Sequence, residues 1–260
     1  MNSINSKILK QELKQLSVCI VVPTYNNAGT IVGVLEKISE YAEEIIVVND
    51  GCTDNTAELL KQFDKRIIVI EYGNNRGKGY ALKRGIERAR ERGFKYIITI
   101  DSDGQHYPEE IALFAEEIQK HPNSLIVGNR NLQSDNMPGK NTFANRFSNF
   151  WFYVQTGHIL PDTQTGFRLY PVHKLCGLKL LTYRYEAELE LLVFAAWNGV
   201  EIRSVPIRVY YPPEGERVTH FHPAKDFARI SLLNTVLCLG AIVYGLPAGI
   251  CRMFRRRENE

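Results

Sequence analysis

Short apolar runs and stretches of helical period alternate along the first half of the chain. Residues 17–23, 44–49, 66–72, 95–100 and 124–128 are rich in Ile and Val and read as strands; the runs 17–23 and 44–49 are apolar enough to be buried on both faces. Between them, Ile31, Val34, Leu35 and Ile38 have helical spacing after Gly29-Thr30. A second helix, capped by Thr53 or Asp54, runs to Phe63, a third follows the loop 73–79 to about Arg92, and Pro108 opens a fourth in its first turn. This alternation predicts an α/β fold: a central, mostly parallel sheet flanked by helices. In such sheets ligands bind beyond the carboxyl ends of the strands. Residues 23–27, Asp50, Asp101 and Asp103 all follow predicted strands and so converge on that edge.

After Lys140 the pattern changes. Phe143, Phe147, Phe150, Trp151, Phe152 and Tyr153 crowd into residues 141–156. That composition suits a packed core helix, and equally a helix lining an apolar groove or resting on a membrane. Residues 162–170 read as a turn entering a short strand, 185–198 as a helix and 200–210 as a strand. No charge occurs between Arg229 and Arg252, a stretch long enough to cross a bilayer core. It also contains Ser231, Asn234, Thr235, three glycines and Pro247, and both its flanks are basic. A single span from a cytoplasmic domain would put Arg252, Arg255, Arg256 and Arg257 on the far side, against the positive-inside rule. The expectation is therefore a helix in the interface, or a re-entrant hairpin broken near residues 245–247; a single span and a core or dimer helix are the alternatives. The chain divides into an N-terminal extension (1–16), a main domain (17–225) and a membrane-associated helix or hairpin with a basic tail (226–260).

The composition, 260 residues with 44% hydrophobic and 23% charged, supports a large core without disulfides or a structural metal. A net charge of +3 is too small to suggest nucleic acid as a partner. Cys19, Cys52, Cys176, Cys238 and Cys251 follow no regular spacing, which favours reduced thiols in the cytosol and argues against zinc. Lys7, Lys10, Glu12 and Lys14 precede an apolar run only one strand long, which is not a signal peptide, so the main domain is expected on the cytoplasmic side.

The most informative residues are Asp101-Ser102-Asp103-Gly104-Gln105-His106. Two carboxylates at i, i+2, just beyond a buried strand and followed by Gly and an amide, suit a hard divalent cation that completes its oxygen shell with phosphate. Lys78 lies in a Gly-rich loop that lacks the Ser or Thr of a P-loop; it reads as a diphosphate contact or as a helix start. His106 reads as a diphosphate contact or a structural histidine, and residues 212–222, with His220 and His222, as a lid or a connector.

Six ordered motifs are similar to those of family 2 glycosyltransferases with the GT-A fold, over about residues 17–225. They are Val22-Pro23-Thr24-Tyr25-Asn26, Val48-Asn49-Asp50-Gly51-Cys52-Thr53-Asp54, Asn75-Arg76-Gly77-Lys78-Gly79, the Asp101–His106 segment, Gly128-Asn129-Arg130, and Asp162-Thr163-Gln164-Thr165-Gly166-Phe167-Arg168. The last four most resemble the dolichol-phosphate mannosyltransferase and polyprenyl-phosphate glycosyltransferase branch. The resemblance implies an inverting transferase using a UDP- or GDP-sugar and Mg²⁺ or Mn²⁺, with a lipid-linked acceptor for which a polyprenyl phosphate is the preferred expectation, at the cytoplasmic face of the plasma membrane. It implies that Pro23, Tyr25, Asn26 and Asp50 hold the nucleoside, that Lys78 and Asp101 reach the diphosphate, and that Asp101, Asp103 and Gln105 bind the metal. Arg130, Arg146 and Arg168 would meet an acceptor phosphate, and Asp103, Asp162 and Glu186 would serve catalysis. Asn27 stands where the family often has Glu, and Asn49-Asp50-Gly51-Cys52 where it often has Asp-Asp-Gly-Ser. Both departures touch the nucleotide pocket and leave the base open. The tail is shorter than the two spans common in the bacterial branch, and a homo-oligomer is compatible with it.

The acceptor's chemistry separates the alternatives. A phosphate is already anionic at neutral pH and needs cationic residues, whereas a lipid or glycan hydroxyl needs a general base, for which Asp162 and Glu186 are the candidates. A non-catalytic sugar-nucleotide-binding protein is the remaining alternative.

Overall fold

The computed structural model describes residues 3–63, 66–130, 139–211 and 223–257. The lid-or-connector segment 212–222 lies outside the described residues. In chain order the elements are α1 (Ser3–Leu16), β1 (Val18–Thr24), α2 (Ile31–Tyr41), β2 (Ile45–Asn49), α3 (Thr56–Leu60), β3 (Ile68–Glu71), α4 (Lys78–Glu91), β4 (Tyr96–Thr99), α5 (Ile111–Lys120), β5 (Leu125–Arg130), α6 (Gly139–Thr156), β6 (Arg168–Pro171), α7 (Glu186–Trp197), β7 (Ile202–Ile207), α8 (Pro223–Gly240) and α9 (Leu246–Arg257). The strands form one sheet in the order β3-β2-β1-β4-β6-β5-β7. All pairs are parallel except those of β6, which runs antiparallel to both β4 and β5.

The strands are apolar on both faces because each face has its own core. Val18, Ile20 and Val22 face one cluster with Leu35, Ile38, Phe114 and Ile118 from α2 and α5. Cys19 and Val21 face the other, with Leu82, Leu192 and Trp197 from α4 and α7 and Phe152 from α6. This three-layer arrangement leaves only the sheet's ends free for polar residues.

Two expectations change. Within the extension, Ser3–Leu16 form helix α1, and its Leu9 and Leu13 pack into the first core instead of standing apart from the domain. The C-terminal segment is not a broken hairpin: α8, a π-helical turn over Ala241–Gly245 and α9 follow one another without interruption. Its inner residues Leu233, Leu237 and Ala241 are buried against the second core. Among the described residues, one helix, Ala228–Gly249, is long and apolar enough to cross a membrane, with a mean hydropathy of 1.8 and 28% of it buried.

Candidate active site

The turns after β1, β2 and β4 and the end of β5 meet at the carboxyl edge of the sheet. After β1, Asn26 takes a left-handed conformation (φ 51°) and its Oδ1 accepts from the Thr53 amide at 2.8 Å. Asn27, where the family often has Glu, donates to the Ser102 hydroxyl at 2.9 Å, and Ser102 donates to the Pro23 carbonyl at 3.1 Å. This pair ties the β1 turn to the metal-type turn after β4. Asp50 is buried and accepts from the Arg76 and Gly77 amides, each at 2.8 Å, and from Asn75 Nδ2 at 2.9 Å. It thereby fixes the loop that delivers Lys78. Tyr25 is half-buried in the turn after β1, and its carbonyl accepts from Asn27 Nδ2 at 3.1 Å.

Lys78 opens α4 and points back across the edge. Its Nζ lies 2.8 Å from Asp101 Oδ1 and 3.1 Å from Glu188 Oε2. Burial works against the ammonium charge, but Asp101 and Glu188 outweigh it and hold the Lys78 pKa above its ordinary value. Burial likewise opposes the Asp101 carboxylate, and the Lys78 charge holds it below the usual range all the same. Asp103 has no such partner. Burial and the Asp101 charge push its pKa up to about 6, and one oxygen accepts from the Gln105 amide at 3.0 Å. Burial pushes His106 down to about 4, so it is neutral at pH 7, and its ring packs on Phe167 at 5.2 Å. Gly166 closes this space: a Cβ there would lie 2.7 Å from Lys78 Nζ and would also strike Asp101.

These residues fit a divalent metal. Among the described residues no three His, Cys, Asp or Glu side chains cluster around one point. The protein instead offers Asp101, Asp103 and the Gln105 amide, whose side chain has no hydrogen bond among the described residues. Two carboxylates and an amide are an incomplete oxygen set of the kind Mg²⁺ or Mn²⁺ completes with water and substrate phosphate. The raised Asp103 carboxyl marks uncompensated negative charge at that point.

The residues expected near the acceptor divide into two groups. Arg130, at the end of β5, forms a two-point ion pair with Asp162: Nε donates to Oδ2 at 2.6 Å and Nη2 to Oδ1 at 2.9 Å. Asn145 Nδ2 and the Gln164 amide donate to the same carboxylate at 2.6 and 3.0 Å. Burial opposes its charge, yet Arg130 holds Asp162 below the usual carboxylate range. A carboxylate so saturated has no free lone pair for a substrate proton, so the expected base role of Asp162 gives way to anchoring Arg130. Arg146, one residue beyond Asn145, is exposed and has no hydrogen-bond partner among the described residues. Arg168 does not join the site. It is fully buried, and donates from Nε to Thr165 O at 2.7 Å, from Nη2 to Thr163 O and from Nη1 to Glu188 O, both at 2.8 Å. With its guanidinium committed to backbone carbonyls, it braces the 162–167 turn and meets no acceptor.

Helix α7 starts beside this region with three buried glutamates in a largely apolar sequence. Glu188 neutralises Lys78 and Glu190 accepts from the Thr182 amide and hydroxyl, while Glu186 Oε2 is buried with no hydrogen-bond partner among the described residues. The resemblance marks the acidic stretch from Glu186 to Glu190 and gives Glu186 a catalytic part, but the pairing of Glu188 with Lys78 and the parts of Asn145 and Gly166 emerge only in the structure. Three acidic residues at i, i+2 and i+4 in an apolar helix were a usable signal, since unpaired glutamate is seldom buried; Asn145 gave none.

Residues 19–175 match the family model described as glycosyl transferase family 2. An uncharacterized protein of Methanocaldococcus jannaschii is 32% identical over 214 residues, covering 80% of this chain and 86% of the relative. A UDP-N-acetylglucosamine–dolichyl-phosphate N-acetylglucosaminyltransferase of Methanococcus voltae is 29% identical, covering 74% and 85%. Among solved structures, glucosyl-3-phosphoglycerate synthase of Mycobacterium tuberculosis, crystallised with Mn²⁺, UDP-glucose and phosphoglyceric acid, shares the fold with a TM-score of 0.66. That structure is 20% identical and the match covers 91% of this chain and 83% of the other. With the family model spanning more than half of its residues, this chain belongs to glycosyl transferase family 2 and is a glycosyltransferase with a GT-A-like fold.

Proposed function

We propose that this enzyme transfers a sugar from a UDP-sugar to the phosphate of a polyprenyl phosphate at the cytoplasmic face of a membrane, with inversion at the anomeric carbon. The observation that carries the choice of acceptor is the state of Asp162. Five donor contacts from Arg130, Asn145 and Gln164 saturate it, so the better-placed base candidate cannot deprotonate a hydroxyl. A phosphate needs no base. Arg130 keeps Nη1 outside its ion pair, and Arg146 is exposed on the same helix as Asn145. Both suit an anionic acceptor. The dolichyl phosphate in the name of the M. voltae relative supports the same class, and the uridine nucleotides of that relative and of the solved neighbour support UDP. The hydroxyl alternative now rests on Glu186, whose Oε2 is buried and unpartnered.

In this mechanism Pro23, Tyr25, Asn26 and Asp50 shape the nucleoside cleft. Asp101, Asp103 and Gln105 hold the metal, which when bound supplies Lewis-acid stabilisation of the departing diphosphate. Lys78 keeps Asp101 charged and oriented, and Arg130 and Arg146 align the acceptor phosphate for in-line attack.

Arg146→Ala tests the acceptor assignment. Loss of a charge-assisted bond costs about 1.5–3 kcal/mol, so transfer to polyprenyl phosphate should fall roughly tenfold or more, with slow hydrolysis of the donor by water unchanged. Equal loss of both rates would remove Arg146 from the acceptor site.

A further inference from the structure

We infer that the C-terminal helix lies in the plane of a lipid bilayer interface, its outer face dipped into one leaflet and not crossing it. The inference deepens the proposal of a lipid-linked acceptor and rests on it for the presence of a membrane. From Leu233 to Arg252 the segment made by α8, the π-turn and α9 docks on α6 and α7. Near one end Gln155 Nε2 donates to Asn234 Oδ1 at 2.9 Å; near the other, Arg252 Nη1 donates to the Trp197 carbonyl at 2.6 Å. Between them the Trp197 ring fits against Gly240 and Gly245, where a Cβ would lie 2.8 and 2.5 Å from the indole.

The polarity of this helix is the reverse of a water-soluble surface helix. The outward positions Leu232, Val236, Leu239, Val243 and Leu246 follow one stripe at i, i+4, i+7, i+11 and i+14, and range from 43% to 80% exposed. The docked positions are smaller or polar: Asn234, Ala241 and Gly245 lie among them beside Leu233 and Leu237. A helix in water turns its bulky apolar residues inward, and a monomer rarely leaves so long an apolar strip to solvent. The neighbouring helix α6 also leaves Phe150 and Tyr153 about half exposed.

Spanning conflicts with the docking. Asn234 and Arg252 lie about 27 Å apart along a helix rising 1.5 Å per residue, close to the full thickness of a bilayer core. A spanning helix would carry its docked partners α6 and α7 into the bilayer and drag exposed Asn198, beside the Trp197 carbonyl that Arg252 binds, across the hydrocarbon. Lying flat, the helix keeps Arg229 and Arg252, at the two ends of its uncharged stretch, at headgroup level, where anionic lipid favours them. A second copy fits the stripe poorly, because in either direction basic ends would meet basic ends.

The test uses the full chain with a C-terminal epitope tag, added to sealed vesicles of phosphatidylcholine and phosphatidylglycerol. The expected result is binding with the tag fully open to external protease, a monomer by sedimentation without lipid, and binding at least about tenfold weaker for Leu239→Glu/Val243→Glu, with an unchanged melting temperature. A protected tag would establish a span and overturn the inference. So would a lipid-free dimer dissolved by the double substitution, or vesicle binding unaffected by it. Transfer to a short, water-soluble isoprenyl phosphate without vesicles checks the acceptor reading separately: its failure would sink that reading while the vesicle result stands.

Discussion

Asp103 and Arg168 show what a single residue's letter and position can and cannot say. Asp103 follows a buried strand within an Asp-x-Asp turn, and its position alone puts it at the sheet edge, where the structure has it half-buried and crowded by Asp101. Asp103→Asn should lower turnover by orders of magnitude while the melting temperature in metal-free buffer stays the same or rises, because it removes a destabilising like charge. A large loss of stability would mean that the carboxylate serves the fold. Arg168 was equally legible as part of a motif, but a motif does not reveal which side of a strand faces the cleft. Its side chain enters the layer under α7 and binds three carbonyls. Arg168→Leu leaves these buried acceptors unmet at about 1–3 kcal/mol each, so a drop of several degrees in melting temperature is expected. A variant of unchanged stability that lost only acceptor use would restore Arg168 to the phosphate site.

At the scale of elements, the five parallel-sheet strands were legible because each is a short apolar run between turn residues. The antiparallel insertion of β6 between β4 and β5 was not, since direction within a sheet leaves no mark on a four-residue strand. Helix α1 was passed over although Leu9, Leu13 and Leu16 have helical spacing; its charges drew attention from a narrow apolar stripe. The expected break near residues 245–247 failed for a local reason. Pro247 falls in the first turn of α9, and the wider π-turn before it relaxes the bonding that a proline disrupts. Removal of residues 223–260 should therefore not yield a more soluble domain. It would strip Leu233, Leu237 and Asn234 from the second core and uncover Trp197 and Phe152. The truncated chain is expected to aggregate and melt lower than the full chain in detergent. A stable, monodisperse truncation would mean that the docking contacts contribute little.

For the whole molecule, two cores on one sheet leave only its ends for polar residues, and the residues proposed for nucleotide, metal and acceptor gather at the carboxyl end. The order of the motifs makes that end of the sheet and a phosphate acceptor readable in the sequence; what it does not reveal is that Asp162, the rival base, is tied up by Arg130. The central claim is that this glycosyltransferase uses a phosphate as its acceptor group. The most direct test incubates the full chain with UDP-sugar and Mn²⁺ in vesicles carrying either a polyprenyl phosphate or its dephosphorylated alcohol, and compares transfer rates and products. The expected product is a glycosyl phosphodiester from the phosphate, with none detectable from the alcohol. Equal use of the alcohol, abolished by Glu186→Gln, would contradict it and establish a base-assisted transfer to hydroxyl.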